Sequence, residues 1–331
     1  MSGLQKVIKY CAMAFAIFLS VVIFGAIIAA VTGVATGIAG VHYLTEEKER
    51  INLSEQYTED EIAELGLKNI LVDCNARITV QRGQVLSVEA LNVTEDYKIR
   101  CSNGKLSVLQ EKNDFNIRFN WTWGDWEERE KEQVIVTIPE GFVPNQLVIH
   151  SGSGKVSVSE VVSGRMELDS GSGSVDITGV TTDTLRMDSG SGRVSLNDVN
   201  AMESLLKTGS GSVKGENVSL GRLSVNSGSG AIELIRLVAE DVEVDSGSGS
   251  VEFSGKLTGE CTFETGSGSA SVSIDGEEEE YLVEAECGSG TFRINGKKVE
   301  DGSYGNNVKG ALIFDAGSGS VNVSFNTPAE E

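Results

Sequence analysis

The stretch "MELDSGSGSVDITGV", Met166–Val180, has the look of a flexible Gly/Ser connector between two strands. It does not occur once. It returns as "LRMDSGSGRVSLNDV" from Leu185, "VEVDSGSGSVEFSG" from Val242 and "IFDAGSGSVNVSF" from Ile313. With the first glycine of each Gly-Ser-Gly as reference, the copies fall at Gly152, Gly171, Gly190, Gly209, Gly228, Gly247, Gly266, Gly288 and Gly317. The interval is 19 residues six times running, then 22, then 29. A period near 20 residues marks a solenoid, whose repeats bury their apolar side only against their neighbours.

The columns of this alignment decide between connector and corner. Three residues before the reference glycine stand Ile149, Leu168, Met187, Leu206, Val225, Val244, Phe263, Ala285 and Phe314. Four after it stand Val156, Val175, Val194, Val213, Ile232, Val251, Ala270, Phe292 and Val321. Columns five before and six after are apolar in the same manner, and those between are mostly polar. Period-two alternation on both sides means two short strands, each with one buried face. A connector has no reason to carry registered apolar flanks, so that reading fails. The glycines are then corners, needed either for positive φ or because no Cβ fits. The middle serines, Ser153 through Ser318, read as a hydroxyl ladder along the corner rather than as nucleophiles.

The expected fold is all-β: a parallel β-solenoid of about nine Gly-Ser-Gly rungs with an N-terminal strand-rich cap, preceded by one transmembrane helix. At the sheet spacing such a stack runs on the order of 40 Å. Both ends need covers. Pro328, Glu330 and Glu331 are expected to discourage pairing at the far end, and residues 67–140 to close the near one. "NILVDCNARITV", "KIRCSNGKLSVL" and "EQVIVTIPEG" all alternate in that near region.

These strands, followed by "LVIHSGSGKVSV" and serial Gly-Ser-Gly rungs, resemble the bacterial putative-adhesin family, a domain of unknown function. They also resemble related adhesin-head domains rich in the same tripeptide. The likeness covers about residues 67–325. It implies a β-solenoid, usually membrane-tethered or exported, in envelope or stress-related settings. It implies no defined catalytic residues.

No residue between Lys9 and Glu46 is charged, and "CAMAFAIFLSVVIFGAIIAAV", Cys11–Val31, is long enough to span a bilayer core. Lys6 and Lys9 precede it and acidic residues come after, which orients the N-terminus to the cytoplasm. An uncleaved anchor is the preferred reading, and a cleaved signal peptide or a buried helix are its rivals. Gly25, Ala29, Gly33 and Gly37 make one small-residue stripe along it, a candidate for self-association or simply the usual membrane-helix composition. The expected organisation is a cytoplasmic tail (1–10), an anchor (11–35), a juxtamembrane stalk with a short helix (36–66), a β cap (67–140), the solenoid (141–326) and an acidic tail (327–331). Thr58 and Glu61 match a capping box, which predicts a helix over 59–65.

The net charge of −22 argues against a nucleic-acid partner. Two residues before the reference glycine lies an outward column that includes Asp169, Asp188, Asp245, Glu264, Glu286 and Asp315. It is a solvated acidic face, or a weak ladder for Ca²⁺ or another cation. All three tryptophans, Trp121, Trp123 and Trp126, fall in one run. They either cover the open end of the stack or form an exposed contact for a glycan, a partner or a membrane. Cys261 and Cys287, on adjacent rungs of a sequence-ordered stack, are too offset for a bridge, and Cys74 and Cys101 are either bridged or free. The loops "DGEEEE" and "NGKKVEDGSYGNN" read as tolerated insertions or as a surface that a partner reads.

Only His42 and His150 exist, and no nucleophile motif, phosphate loop or zinc spacing is visible. The chain is therefore read as a non-catalytic, membrane-anchored, extracytoplasmic scaffold for adhesion or interaction, without a cofactor. The rival reading is a cell-envelope stress or regulatory component acting through a membrane partner.

Overall fold

The structure is a computed structural model and describes residues 49–111, 132–306 and 308–326. Among them no helix is long and apolar enough to cross a membrane. The expected anchor at 11–35, its Gly25–Ala29–Gly33–Gly37 stripe and the 327–331 tail lie outside the described residues.

Strand β1 (Arg50–Tyr57) leads through helix α1 (Glu59–Glu64) to β2 (Asn69–Asp73) and β3 (Arg77–Gly83). Next are β4 (Leu86–Thr94), β5 (Tyr97–Ser102), β6 (Lys105–Gln110), β7 (Gln133–Pro139), β8 (Gln146–Ser151), β9 (Val156–Ser159) and β10 (Val162–Ser170). Five 15-residue strands come after these: β11 (Val175–Ser189), β12 (Val194–Thr208), β13 (Val213–Ser227), β14 (Ile232–Ser246) and β15 (Val251–Thr265). The last are β16 (Ala270–Asp275), a 3-10 turn (Glu278–Glu280), β17 (Tyr281–Cys287), β18 (Phe292–Ile294), β19 (Lys297–Val299), β20 (Gly302–Gly305), β21 (Gly310–Ala316) and β22 (Val321–Asn326). Helix α1 starts where the capping box places it, with Thr58 and Glu61 satisfying each other's backbone N–H.

From β8 to β14 the rungs pair in parallel, each residue opposite the one 19 positions on, as in Val175↔Val194 and Met187↔Leu206, and β14 pairs with β15 in the same way except at Leu237–Glu240, which a bulge sets 18 positions from their partners. The alternation expected from the sequence is the alternation observed. Leu168, Met187, Val225 and Val244 are each 2 % exposed or less and line one continuous core.

The corner chemistry resolves into two devices. None of the Gly-Ser-Gly glycines has positive φ; they are glycines because no Cβ fits. The carbonyl of the equivalent glycine one rung back lies where a Cβ would go, 2.8 Å away at Gly228 and much nearer at Gly230. Left-handed backbone is used instead at the opposite corner, eight residues after the reference glycine, at Glu160, Gly179, Asp198, Asn217 and Arg236. The middle serine also differs from expectation. Its side chain faces solvent at Ser172, Ser191 and Ser210, while its N–H bonds the rung below, as in Ser172 N to Gly152 O at 2.8 Å. The buried hydroxyls belong to the preceding residue. Ser170, Thr208, Ser227 and Ser246 each donate to the carbonyl of the second glycine of their own corner, at 2.9–3.1 Å.

At both ends the stack abandons sequence order. Strands β21 and β22 lie between β15–β16 and β17–β18, so the last rung in the sequence is tucked inside the one before it. At the near end β2 and β3 pair with β8 and β9 on one edge and with β6 and β7 on the other. The solenoid therefore begins near Asn69 rather than at 141, and the region expected as a separate cap at 67–140 already contains rungs. Antiparallel strands cover the outer edges: β5 on β6 and β4 on β7 at one end, β20 on β17 and β19 on β18 at the other.

Three expectations change accordingly. The segment expected as stalk is folded from Arg50, since β1 pairs antiparallel with β4. Strand β22 is paired on both edges, so the last strand in the sequence is not the far edge of the stack. The insertion after β18 supplies the cap, because β19 and β20 are drawn from it and pair with β18 and β17. Packing explains the inverted order. Phe263 of β15 stacks on Phe314 of β21 at 4.8 Å and 13°, whereas sequence order would set Ala285 against it and leave a void. A rung that supplies two cap strands must also lie outermost, where its edges are free to take them.

Two serines probe this core with opposite signs. Ser204 sits between Leu185 and Leu223 in the inward column, and its buried hydroxyl has no hydrogen-bond partner. Ser204→Ala is expected to raise the unfolding free energy by about 1 kcal/mol. Ser227→Ala, which removes the bond to the Gly230 carbonyl, is expected to lower it by about the same. Urea midpoints at constant m-value read both.

Candidate functional site

With rungs in spatial order, the outward column before the corner reads Asp73, His150, Asp169, Asp188, Lys207, Asn226, Asp245, Glu264, Asp315, Glu286. At the near end His150 stands between two carboxylates, Nδ1 3.8 Å from Asp73 and Nε2 3.5 Å from Asp169. Burial pushes the Asp169 carboxyl above its ordinary range; His150 opposes that shift, and Glu167 and Asp188 add to it. Asp73, His150, Asp169 and Asp188 border a groove of about 450 Å³ with Cys74, Asn75 and Gln110. Here Asn75 takes the place of the corner glycine, and its side-chain oxygen accepts from Gly152 N at 2.9 Å.

At the far end Asp245, Glu264, Asp315 and Glu286 succeed one another, so Asp315 separates the pair expected to be neighbours. Rungs about 4.8 Å apart offer one carboxylate each. Among the described residues no three or more His, Cys, Asp or Glu side chains converge where a metal could sit. A second groove, about 570 Å³, runs along the corner itself, floored by Gly249, Gly268 and Gly319 and edged by Ser229, Ser248, Ser267 and Ser318. Its lining carries no charge, in contrast to the acidic column beside it.

Both nitrogens of His150 face carboxylates, Asp73 and Asp169. Burial raises the Cys74 thiol to about 12 and the Cys261 thiol to about 11, so neither is a thiolate near neutral pH. Cys74, Cys101, Cys261 and Cys287 are free. Cys101 lies opposite Leu106, which lies opposite Ile70, four residues and roughly 13 Å along the strand from Cys74. Cys261 and Cys287 have the β21 rung between them.

Trp121, Trp123 and Trp126 lie outside the described residues. The chain leaves β6 after Gln110 and returns at Gln133, at the corner of the outermost rung. The signal that sequence reasoning passed over was the residue before seven of the nine reference glycines: Ser151, Ser170, Ser189, Thr208, Ser227, Ser246 and Thr265. Seven hydroxyls at one register position mark a buried polar ladder: six donate to the second glycine carbonyl of their own corner, while Thr265 Oγ1 has no partner among the described residues.

The family described as Toastrack DUF4097 matches over residues 67–311. No curated protein matches the sequence. Among solved structures the chain is similar to a putative adhesin from Bacteroides fragilis, 13% identical, over 83% of this chain and 98% of that one, with a TM-score of 0.46. It is similar to a putative lipid binding protein from Parabacteroides distasonis, 14% identical over 82% and 96%, TM-score 0.46. A putative cell adhesion protein from Clostridium sporogenes matches at 13% identity over 84% and 100%, TM-score 0.26.

Proposed function

The chain belongs to the Toastrack family, DUF4097, and on that footing we propose that it is a non-catalytic surface-interaction scaffold, a rod that meets its partners along its sides. The observation that carries this reading is the lateral register. Outward positions recur at every rung, with four carboxylates in succession at Asp245, Glu264, Asp315 and Glu286, while antiparallel strands occupy both ends. An extended or repetitive partner, such as a glycan strand or an envelope polymer, then meets the same chemistry several times, and weak contacts multiply through effective concentration. We further propose that residues 11–35 anchor the rod as a single span with its N-terminus in the cytoplasm, supported by the uncharged run behind Lys6 and Lys9.

The full chain in detergent, screened against glycans and lipid vesicles, is expected to bind at least one class saturably. Trp123→Ala with Trp126→Ala is expected to weaken that binding roughly tenfold, the scale of losing an exposed aromatic contact. No binding to any class, with the chain folded, sinks the scaffold reading. Protease treatment of intact cells is expected to cut in the acidic stretch around Glu46, and full protection there overturns the proposed topology.

A further inference from the structure

Strand β17 is flanked by two later strands of its own chain, β20 antiparallel on its outer edge and β21 parallel on its inner edge. Between them the chain crosses the start of β17. Asn306 N donates to Tyr281 O at 3.0 Å, and Val308 N and Lys309 N both donate to Glu280 O, at 3.0 and 2.9 Å. Lys309 also pairs with Glu280, and Gly305, at φ +80°, makes the turn. The described residues of the crossing, Asn306, Val308 and Lys309, are exposed, Val308 at 73 %, so they can move without uncovering core. The strands beyond the crossing are the reverse: Leu312, Phe314, Val321 and Val323 are each 2 % exposed or less, gripped from both edges.

We propose that the slot between β15–β16 and β17–β18 is a strand-acceptor site for the β21–β22 segment of a second copy of this chain, so that two copies exchange these rungs reciprocally into a closed dimer. Every contact inside the slot is the same whichever chain supplies the segment. Intramolecular and exchanged forms differ only in the crossing and in the effective concentration of the tethered segment, on the order of millimolar for a short connection. The slot also selects its occupant. Phe263 finds a stacked ring only in Phe314; if the slot closed on itself, Ala285 of β17 would face Phe263, so a vacated slot favours refilling over collapse. This inference stands on the strand order and does not rest on the scaffold reading.

The test uses the full chain. A mixture of unlabelled and isotope-labelled copies is unfolded and refolded at rising concentration up to about 1 mM, and native mass spectrometry reads the products. The expected result is mixed dimers that grow with concentration and survive dilution. A synthetic peptide of residues 308–326 in roughly tenfold excess should suppress them by mass action and leave one-to-one complexes of chain and peptide. The same peptide with Leu312, Phe314 and Val321 changed to Ser should leave the dimers intact. Monomers alone at every concentration, or dimers indifferent to the native peptide, overturn the proposal. Should the chain aggregate on refolding, labelled peptide incubated with native chain just below its melting temperature gives the answer, since failure to incorporate overturns it equally.

Discussion

Gly230→Ala is expected to lower the unfolding free energy by about 4 kcal/mol or more. A methyl group at Gly230 would lie little farther from the Gly211 carbonyl oxygen than a covalent bond. The obstacle is backbone, held by the ladder from Val213 N to Ala231 O on one side of the corner and from Gly228 N to Thr208 O on the other. No rotamer change can make room, so two rungs must separate and the core beneath them must open. The first glycine of the same corner is more forgiving. A Cβ on Gly228 would lie 2.8 Å from the Gly209 oxygen, a shortfall of a few tenths of an ångström, and Gly228→Ala is expected to cost about 1–2 kcal/mol. Gly141→Ala is the control, with nothing within 4 Å of the added carbon and an expected change within about 0.5 kcal/mol. Urea denaturation of the three variants gives the ranking, and equal losses at Gly230 and Gly141 would refute the steric account of the corner.

Deleting residues 308–331 is expected to release two rungs rather than one. In a solenoid stacked in sequence order, removing the last repeat frays one end and leaves the preceding repeat docked. Here the deleted segment holds β17 and β18 to the rest, through the parallel pairs Val283↔Leu312, Ala285↔Phe314 and Phe292↔Val321. Its loss strips these residues of their inward neighbours and exposes Phe263 and Val272, each large apolar side chain being worth about 1.5–3 kcal/mol when buried. Amide exchange is the measurement. Protection across 281–305 should vanish together with that of β19 and β20, while 175–250 keeps its own, as expected where stability is local. Persisting protection at 281–294 would mean that β17 docks directly on β15, and that the intercalated order is not needed to hold the end together.

How much of this was legible beforehand divides along a physical line. Inward and outward parity is a local property: alternation at Leu168, Asp169 and Ser170 tells which side chain faces the core whatever strand lies next to it. The capping box at Thr58 is local in the same sense, and α1 formed where it predicts. The 19-residue spacing then set the register, because identical columns can pair only in phase. For the same reason the outward column from His150 to Glu264 could be named from the chain alone, whereas Asp73, in a rung without Gly-Ser-Gly, joins it only through the pairing of β2 with β8.

Neighbour choice is not local. The rungs around Gly266, Gly288 and Gly317 present nearly equivalent edges, and which pair meets is a contest between packing arrangements of the whole end. It was decided by Phe263 fitting Phe314 and by the need of β19 and β20 for a free edge. The opposite corner escaped notice because backbone held by its neighbours tolerates Glu160 and Arg236 in a left-handed turn that sequence rules assign to glycine, Asn or Asp. Core membership and its period were thus written into the amino-acid order. The stacking order of the rungs was settled only in the folded whole, since chemically similar strands are told apart by the volumes they must fill together.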